Sequence, residues 1–147
     1  MKREEILTKL KSKIKEVDPE VDVSVGGPEA PLEAEYDEDR KLVRFSNATV
    51  ALMLQEDLLA MLAHEAGHVL ISQDPSLRRF LRGPVGEEIE AFRLGIPFAR
   101  KWGVLEEYVG FIQAFARTWL SPIRGYKWVI KSIDRLLKEV DQDLGGR

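Results

Sequence analysis

The sequence predicts an α+β fold in which a small, mostly antiparallel sheet of three strands precedes a set of helices. Three short segments between residues 21 and 46 alternate apolar with polar side chains, as half-buried strands do. From Glu56 onward, apolar residues recur every three or four positions, which is the period of a helix. A chain of 147 residues is long enough for one domain with a buried core. We expect a single domain over residues 1–147, with residues 141–147 as a flexible tail.

Composition and charge exclude several classes of protein. Because cysteine is absent, disulfides are excluded and a transition-metal site must use histidine and carboxylate ligands. A net charge of −3 gives no electrostatic basis for binding nucleic acid. Residues 1–17 lack the apolar core of a signal peptide, and the most apolar run, 49–54, is too short to cross a membrane. We expect a soluble, cytoplasmic protein without nucleic-acid or membrane partners, while its oligomeric state stays open.

The first part of the chain holds one helix and the three strands. Residues 3–17 form an amphipathic pattern that Pro19 ends. Strands follow at residues 21–25, 32–36 and 41–46, and a charged turn joins the last two. This turn predicts a hairpin.

Four helices follow the sheet. The first begins at Glu56, where acidic side chains suit the positive end of the helix dipole, and ends before Pro75. The second begins around Pro84, and Pro97 is expected to kink or break it because proline removes a backbone hydrogen bond. The last two helices are amphipathic, at residues 104–120 and 123–141.

A basic run, Arg78-Arg79-Phe80-Leu81-Arg82, connects the first two of these helices. Such a run is usually a solvated connector. The alternative interpretation is a docking patch for acidic partners.

The chemistry is concentrated in His64-Glu65-Ala66-Gly67-His68, which holds the only two histidines of the chain. On a helix, side chains four residues apart lie one above the other, so both imidazoles can reach a single metal ion. Glu65 lies about 100° round the helix from His64, beside such an ion, where a carboxylate can activate a bound water. This pattern is the signature of a zinc hydrolase. The alternative is an amphipathic helix whose polar face carries two histidines.

A catalytic zinc takes three protein ligands, and the third must be a carboxylate because no other histidine and no cysteine exists. The acidic cluster at residues 87–90, which opens the next helix, is the best source. At about 100° per residue, Glu88 lies on the same side as Gly95, where the absence of a side chain allows close packing. Glu90 lies on the opposite side and Glu87 is intermediate, so Glu88 is the best candidate. A first-turn carboxylate that stabilises the helix dipole is the competing interpretation.

Gly67 is a further signal within the motif. Glycine costs about 1 kcal/mol relative to alanine inside a helix. Its position before His68 therefore predicts close approach by another backbone.

The motif at residues 64–68, followed by Glu88-Ile89-Glu90-Ala91, resembles the gluzincin metallopeptidases, whose third ligand is a glutamate in a Glu-x-x-Ala context. The small size and the order of strands before helices are most similar to the minigluzincins. This resemblance covers roughly residues 40–100. It implies zinc as the cofactor and a peptide or protein as the substrate.

The resemblance also implies a role for each residue of the motif. His64, His68 and Glu88 are the implied zinc ligands, and Glu65 is the implied general base. An extended peptide is expected to bind along the third strand, residues 41–46, by adding a strand to the sheet.

One position departs from the family pattern. In many gluzincins an aspartate follows the alanine and supports a histidine ligand, but here Phe92 occupies that position. Such supporting groups contribute about 10–100-fold to metal affinity. Glu90 and Asp57 are the substitutes that the sequence offers.

The sequence therefore predicts a zinc-dependent metallopeptidase in which Glu65 acts as the general base on a zinc-activated water. Tyr126 is the residue chosen as hydrogen-bond donor to the oxyanion. The other candidate donors are Tyr36, Tyr108 and Arg93. The alternative function is a catalytically silent or latent regulatory or binding module, in whose latent form the acidic segment 139–143 blocks the metal.

Overall fold

The computed structural model describes residues 3–26, 34–120 and 127–145. Within these residues the protein has the predicted α+β architecture, with a three-stranded sheet and seven helices. The strands are β1 (Asp22–Val25), β2 (Ala34–Asp37) and β3 (Leu42–Phe45). The helices are α1 (Arg3–Ile14), α2 (Asn47–Leu52), α3 (Gln55–Ser72), α4 (Pro75–Arg79), α5 (Gly83–Lys101), α6 (Leu105–Leu120) and α7 (Lys127–Gly145).

The sheet has the strand order β1-β3-β2, so β3 lies in its centre. β2 and β3 form the predicted antiparallel hairpin, with Tyr36 opposite Val43. β1 pairs with β3 in parallel, with Val23 opposite Val43. The sheet is therefore mixed, with one pairing of each kind, whereas the sequence predicts mostly antiparallel pairing. Alternation of side chains indicates which face of a strand is buried, but it is the same for both directions of a neighbouring strand.

Helix α3 is the centre of the core. Its apolar stripe, which recurs at the helical period expected from Glu56 onward, is completely buried and consists of Leu58, Leu62, Ala66 and Val69. The helix packs against β2, α1, α5 and α6. Each fully buried leucine contributes roughly 1.5–3 kcal/mol to the free energy of unfolding. Burial of this stripe therefore holds the helix that carries both histidines firmly in the core.

Helices α3 and α5 approach so closely that their backbones touch. A Cβ atom added at Gly67 would lie 2.0 Å from the carbonyl oxygen of Ala91, and one added at Gly95 would lie 2.4 Å from that of Ala63. The close approach predicted at Gly67 is confirmed. Because α5 is held against α3 here, its N-terminal residues lie beside the histidines.

The periodicity of the sequence does not predict two short helices, α2 and α4. The hydroxyl of Ser46 caps α2 by accepting a hydrogen bond from the Thr49 amide at 3.0 Å. The carboxylate of Asp74 caps α4 by accepting one from the Leu77 amide at 3.1 Å. Both helices are too short to show a period, so only their capping residues mark them in the sequence.

Helix α5 continues through Pro97, which the sequence predicts to kink or break it. Proline removes the hydrogen bond that would reach the Arg93 carbonyl. Pro97 and Arg93 are both exposed, so water can satisfy that carbonyl, while buried Ile96 and Ala99 hold the helix against the core.

Two further boundaries differ from the sequence prediction. Helix α7 runs to Gly145, so residues 141–145 are helical where a flexible tail is predicted. Helix α1 ends at Ile14, three residues before its predicted end. None of the helices within the described ranges combines the length and the apolar character needed to cross a membrane.

Candidate metal centre

The structure brings the predicted ligand residues together from two helices. His64 and His68 lie one turn apart on α3, and Glu88 faces them from the N-terminal part of α5. The Nε2 atom of His64 lies 2.9 Å from one carboxylate oxygen of Glu88. The Nε2 atom of His68 lies 2.8 Å from the other oxygen. Both imidazoles therefore point the same nitrogen at one carboxylate.

A second carboxylate lies beside this group. Glu65 offers an oxygen within 4.8 Å of nitrogen atoms of His64 and His68, so these three residues could also hold a metal ion. Glu88 stays the better candidate for the third ligand, because its two oxygens each lie within hydrogen-bond distance of an Nε2 atom. Two imidazole nitrogens and a carboxylate oxygen form a donor set that suits a divalent transition metal. The residues present therefore fit a metal centre.

Charge in this site is governed by burial and by the close carboxylates. Burial lowers the pKa of His68, but its hydrogen bond to Glu88 and the neighbouring negative charges outweigh burial and raise that pKa to about 9. Burial favours the neutral form of Glu88, but hydrogen bonds from His64 and His68 hold its pKa well below the usual range. At Glu65 burial dominates and raises the pKa. Without a metal, Glu88 and His68 therefore form an ion pair next to a carboxyl group that resists ionisation.

The two imidazoles have different surroundings. The Nδ1 atom of His64 is buried and has no hydrogen-bond partner within the described part of the chain. The Phe92 ring lies against this imidazole, with ring centroids 3.9 Å apart. The Nδ1 atom of His68, in contrast, lies 3.4 Å from a carboxylate oxygen of Glu87. Only His68 has a carboxylate beside each of its nitrogens.

The substitutes that the sequence offers for the missing aspartate are wrong. Glu90 forms an ion pair with Arg93 and faces a different groove. Asp57 lies in the first turn of α3, seven residues before His64, which is about 10 Å along the helix axis. The group that sequence reasoning missed is Glu87, whose intermediate helical angle and position next to Glu88 were the available signals.

The histidines and Glu65 open onto a cavity of about 600 Å³. Strand β2 forms one wall, with Ala34, Glu35 and Tyr36. Helix α6 contributes apolar lining, with Phe111, Ala114 and Phe115. The cavity therefore combines the polar side chains of His64, His68 and Glu65 with an aromatic lining, of which Phe92 lies directly against His64.

The strand at the rim is not the one that the resemblance implies. β3, residues 42–45, is paired on both sides and has no free edge. β2 lines the cavity and pairs only with β3 among the described residues. A peptide that adds a strand needs unpaired backbone groups, so β2 is the strand that offers them.

The candidate oxyanion donors separate clearly. Tyr108 is fully buried and donates its hydroxyl hydrogen bond to the Phe92 carbonyl at 2.6 Å. Arg93 pairs with Glu90 and does not line the cavity. Tyr126 lies outside the described residues. Tyr36 lines the cavity and is the candidate that the geometry retains.

Those acidic residues of the segment 139–143 whose side chains the structure describes do not line the cavity. Glu139 and Asp141 belong to α7, and no α7 residue is among the cavity-lining residues described. The predicted block of the metal by residues 139–143 therefore has no support from Glu139 or Asp141, while the side chain of Asp143 lies outside the described part of the chain.

No protein-family model, curated protein or solved structure matches this chain. The functional conclusion therefore depends on the geometry of the site itself.

Proposed function

We propose that this protein is a zinc-dependent metallopeptidase of the cytoplasm. The observation that carries the proposal is the position of Glu88, whose two carboxylate oxygens lie 2.9 Å and 2.8 Å from the Nε2 atoms of His64 and His68. Glu65 is buried beside them at the edge of a cavity that a peptide can enter. A metal-binding site and a candidate base thus share one cleft, as peptide hydrolysis requires.

Zinc at this centre would polarise the scissile carbonyl and lower the pKa of a water molecule. His64, His68 and Glu88 would hold the ion from two helices whose close packing limits their relative movement. Glu65 would accept a proton from the attacking water and pass it to the leaving amine. Burial raises the pKa of this carboxyl group, which brings it closer to the operating pH and suits a group that both takes and returns a proton.

The substrate is an extended segment of peptide. Its backbone would pair with the edge of β2 that no described strand occupies, which would place it across the cavity in front of the histidines. The aromatic wall from Phe111 and Phe115 would accept an apolar side chain near the cleaved bond. We therefore expect faster cleavage beside large apolar residues than beside charged ones.

A catalytically silent or latent metal-binding module is the second candidate. It is favoured by the buried Nδ1 atom of His64, which has no hydrogen-bond partner among the described residues, since metal-binding histidines usually donate that hydrogen to a supporting group. In this alternative the protein binds metal with the same residues and cleaves nothing.

Turnover of an unfolded protein separates the two candidates. Metal-stripped protein reloaded with zinc should cleave reduced, unfolded casein, and a chelator should stop the cleavage. Glu65→Gln, purified in parallel, should bind zinc to the same stoichiometry without cleaving. Zinc binding with no turnover above this variant would favour the silent module, and absence of zinc binding would overturn both candidates.

A further inference from the structure

We propose that Glu87 is a positioning residue for His68 and that Arg78 holds Glu87 in place. This inference depends on the proposed metal centre and assigns it an outer support that includes the turn between β2 and β3. The support is made by Glu38, Arg78 and Glu87, which come from three separate segments of the chain.

The first step is the contact with the imidazole. One oxygen of Glu87 lies 3.4 Å from Nδ1 of His68. Glu88, the next residue in the chain, lies 2.8 Å from Nε2 of the same ring. Two consecutive glutamates on α5 thus contact the two nitrogens of one imidazole. Glu87 lies at Nδ1, whereas the Nε2 atoms of both histidines face Glu88. Glu87 is therefore not placed to be a ligand.

The second step is the tautomer that this contact selects. A neutral imidazole carries one N–H group, and the nitrogen without hydrogen is the one that binds a metal. A carboxylate beside Nδ1 accepts the hydrogen there and leaves Nε2 free to bind. Glu87 therefore favours the tautomer of His68 that the metal centre needs.

Arg78 contacts both Glu87 and Glu38. The Nε atom of Arg78 donates to the second oxygen of Glu87 at 3.1 Å. Its two terminal nitrogens donate to the carboxylate of Glu38 at 3.0 Å and 2.8 Å. A paired, planar contact of this kind fixes the guanidinium plane, so Arg78 determines where Glu87 can lie.

This network also explains part of the basic connector. Arg78 is engaged in ion pairs, while Phe80 in the same run is 85% exposed. The side chains of Arg78 and Glu38 are 41% and 47% exposed, and ion pairs at such sites contribute only about 0–1 kcal/mol to stability. Loss of Arg78 should therefore leave the fold intact and change the metal centre.

The test is metal affinity, measured by competition between the protein and a chromogenic chelator for Zn²⁺. Glu87→Ala should lower the affinity about 10–100-fold. Glu87→Gln should lose less, because its amide oxygen still accepts the Nδ1 hydrogen. Glu90→Ala is the matched control, since it removes the same charge from the same helix but lies away from the imidazoles. This control should bind zinc like the wild type.

Arg78→Gln separates positioning from simple charge. Removing a positive charge near a bound cation should strengthen binding if only the net charge matters. If Arg78 positions Glu87, its removal should instead weaken binding, by about tenfold, and Arg78→Lys should recover part of the loss. The visible spectrum of the Co²⁺-loaded protein should shift in Glu87→Ala and Arg78→Gln but not in Glu90→Ala.

The outcomes test the metal centre and the positioning role of Glu87 separately. A wild-type protein that binds no metal overturns the metal centre and this inference with it. A wild type that binds metal, with Glu87→Ala equal to Glu90→Ala or with Arg78→Gln stronger than wild type, overturns the positioning role alone. Thermal melting of each metal-free variant checks that the fold is retained.

Discussion

Gly67 on α3 faces the backbone of Ala91 on α5, and a Cβ atom at Gly67 would lie 2.0 Å from the Ala91 carbonyl oxygen. The obstacle is backbone, which cannot rotate away as a side chain can. This contact lies one residue before His68 and one helical turn after Glu88. It therefore sets the distance between the two helices that carry the candidate ligands.

Gly67→Ala should destabilise the protein by about 3 kcal/mol or more, because overpacking must push the two helices apart. Helix propensity alone predicts the opposite, a gain of about 1 kcal/mol. Gly110→Ala is the matched control, since a Cβ atom there meets nothing within 4 Å, and it should stabilise α6. Urea denaturation of both variants measures the difference, and equal gains would show that the helices are not in backbone contact.

The metal-free protein should lose stability as the pH rises from about 6.5 to about 9, because the pKa of His68 is raised from 6.5 to about 9 on folding. A raised pKa means that the folded state binds the proton more tightly, so the stabilisation is complete below the unfolded value and disappears above the folded one. The pKa of Glu88 is lowered on folding, so its contribution to stability is complete above the unfolded value of 4.5 and is lost as the pH falls below it.

The change across the alkaline range should be about 3 kcal/mol at most. It can be measured by denaturation in the presence of a chelator, with His68→Gln as the control that lacks the titrating group. A wild-type profile parallel to that of His68→Gln across this range would contradict the prediction.

Phe92→Asp should change affinity and stability in opposite directions. The new carboxylate would lie beside Nδ1 of His64, which has no partner in the part of the chain that the structure describes, and should raise zinc affinity about tenfold. Phe92 is only 4% exposed and packs against Tyr108 and Phe115, so the metal-free variant should lose about 3 kcal/mol or more. Phe92→Leu should lower stability without raising affinity. A gain in affinity for both variants would mean that ring removal, rather than the carboxylate, is responsible.

Glu65→Gln should stabilise the metal-free protein. Glu65 is 6% exposed and burial raises its pKa, so ionisation of this group at neutral pH opposes folding. An amide of the same shape avoids that cost. Glu56→Gln, at an exposed position of the same helix, should change little. A loss of stability in Glu65→Gln relative to this control, in matched urea titrations, would show that the ionised carboxylate is well satisfied.

The sequence predicts the helix that carries the histidines and the position of Glu88 beside them, because both follow from helical periodicity. It also predicts the contact at Gly67, since an otherwise unfavourable glycine needs a reason in packing. The parallel pairing of β1, the position of β2 at the edge of the sheet that the described residues form, and the contact between Glu87 and His68 depend on how distant segments meet. Strand alternation does not encode pairing direction or free edges, and the helical angle of Glu87 does not by itself show that His68 lies next to it. The sequence therefore predicts the wrong strand at the rim and the wrong carboxylates beside the imidazoles.

Anomalous diffraction at the zinc absorption edge, from crystals grown with Zn²⁺, would locate the proposed ion and its ligands. We expect one peak in the cavity, about 2.0–2.2 Å from Nε2 of His64, Nε2 of His68 and a carboxylate oxygen of Glu88. Glu65 should lie beside the ion without binding it directly. Absence of a peak there, or a peak bound by Glu65 in place of Glu88, would contradict the account.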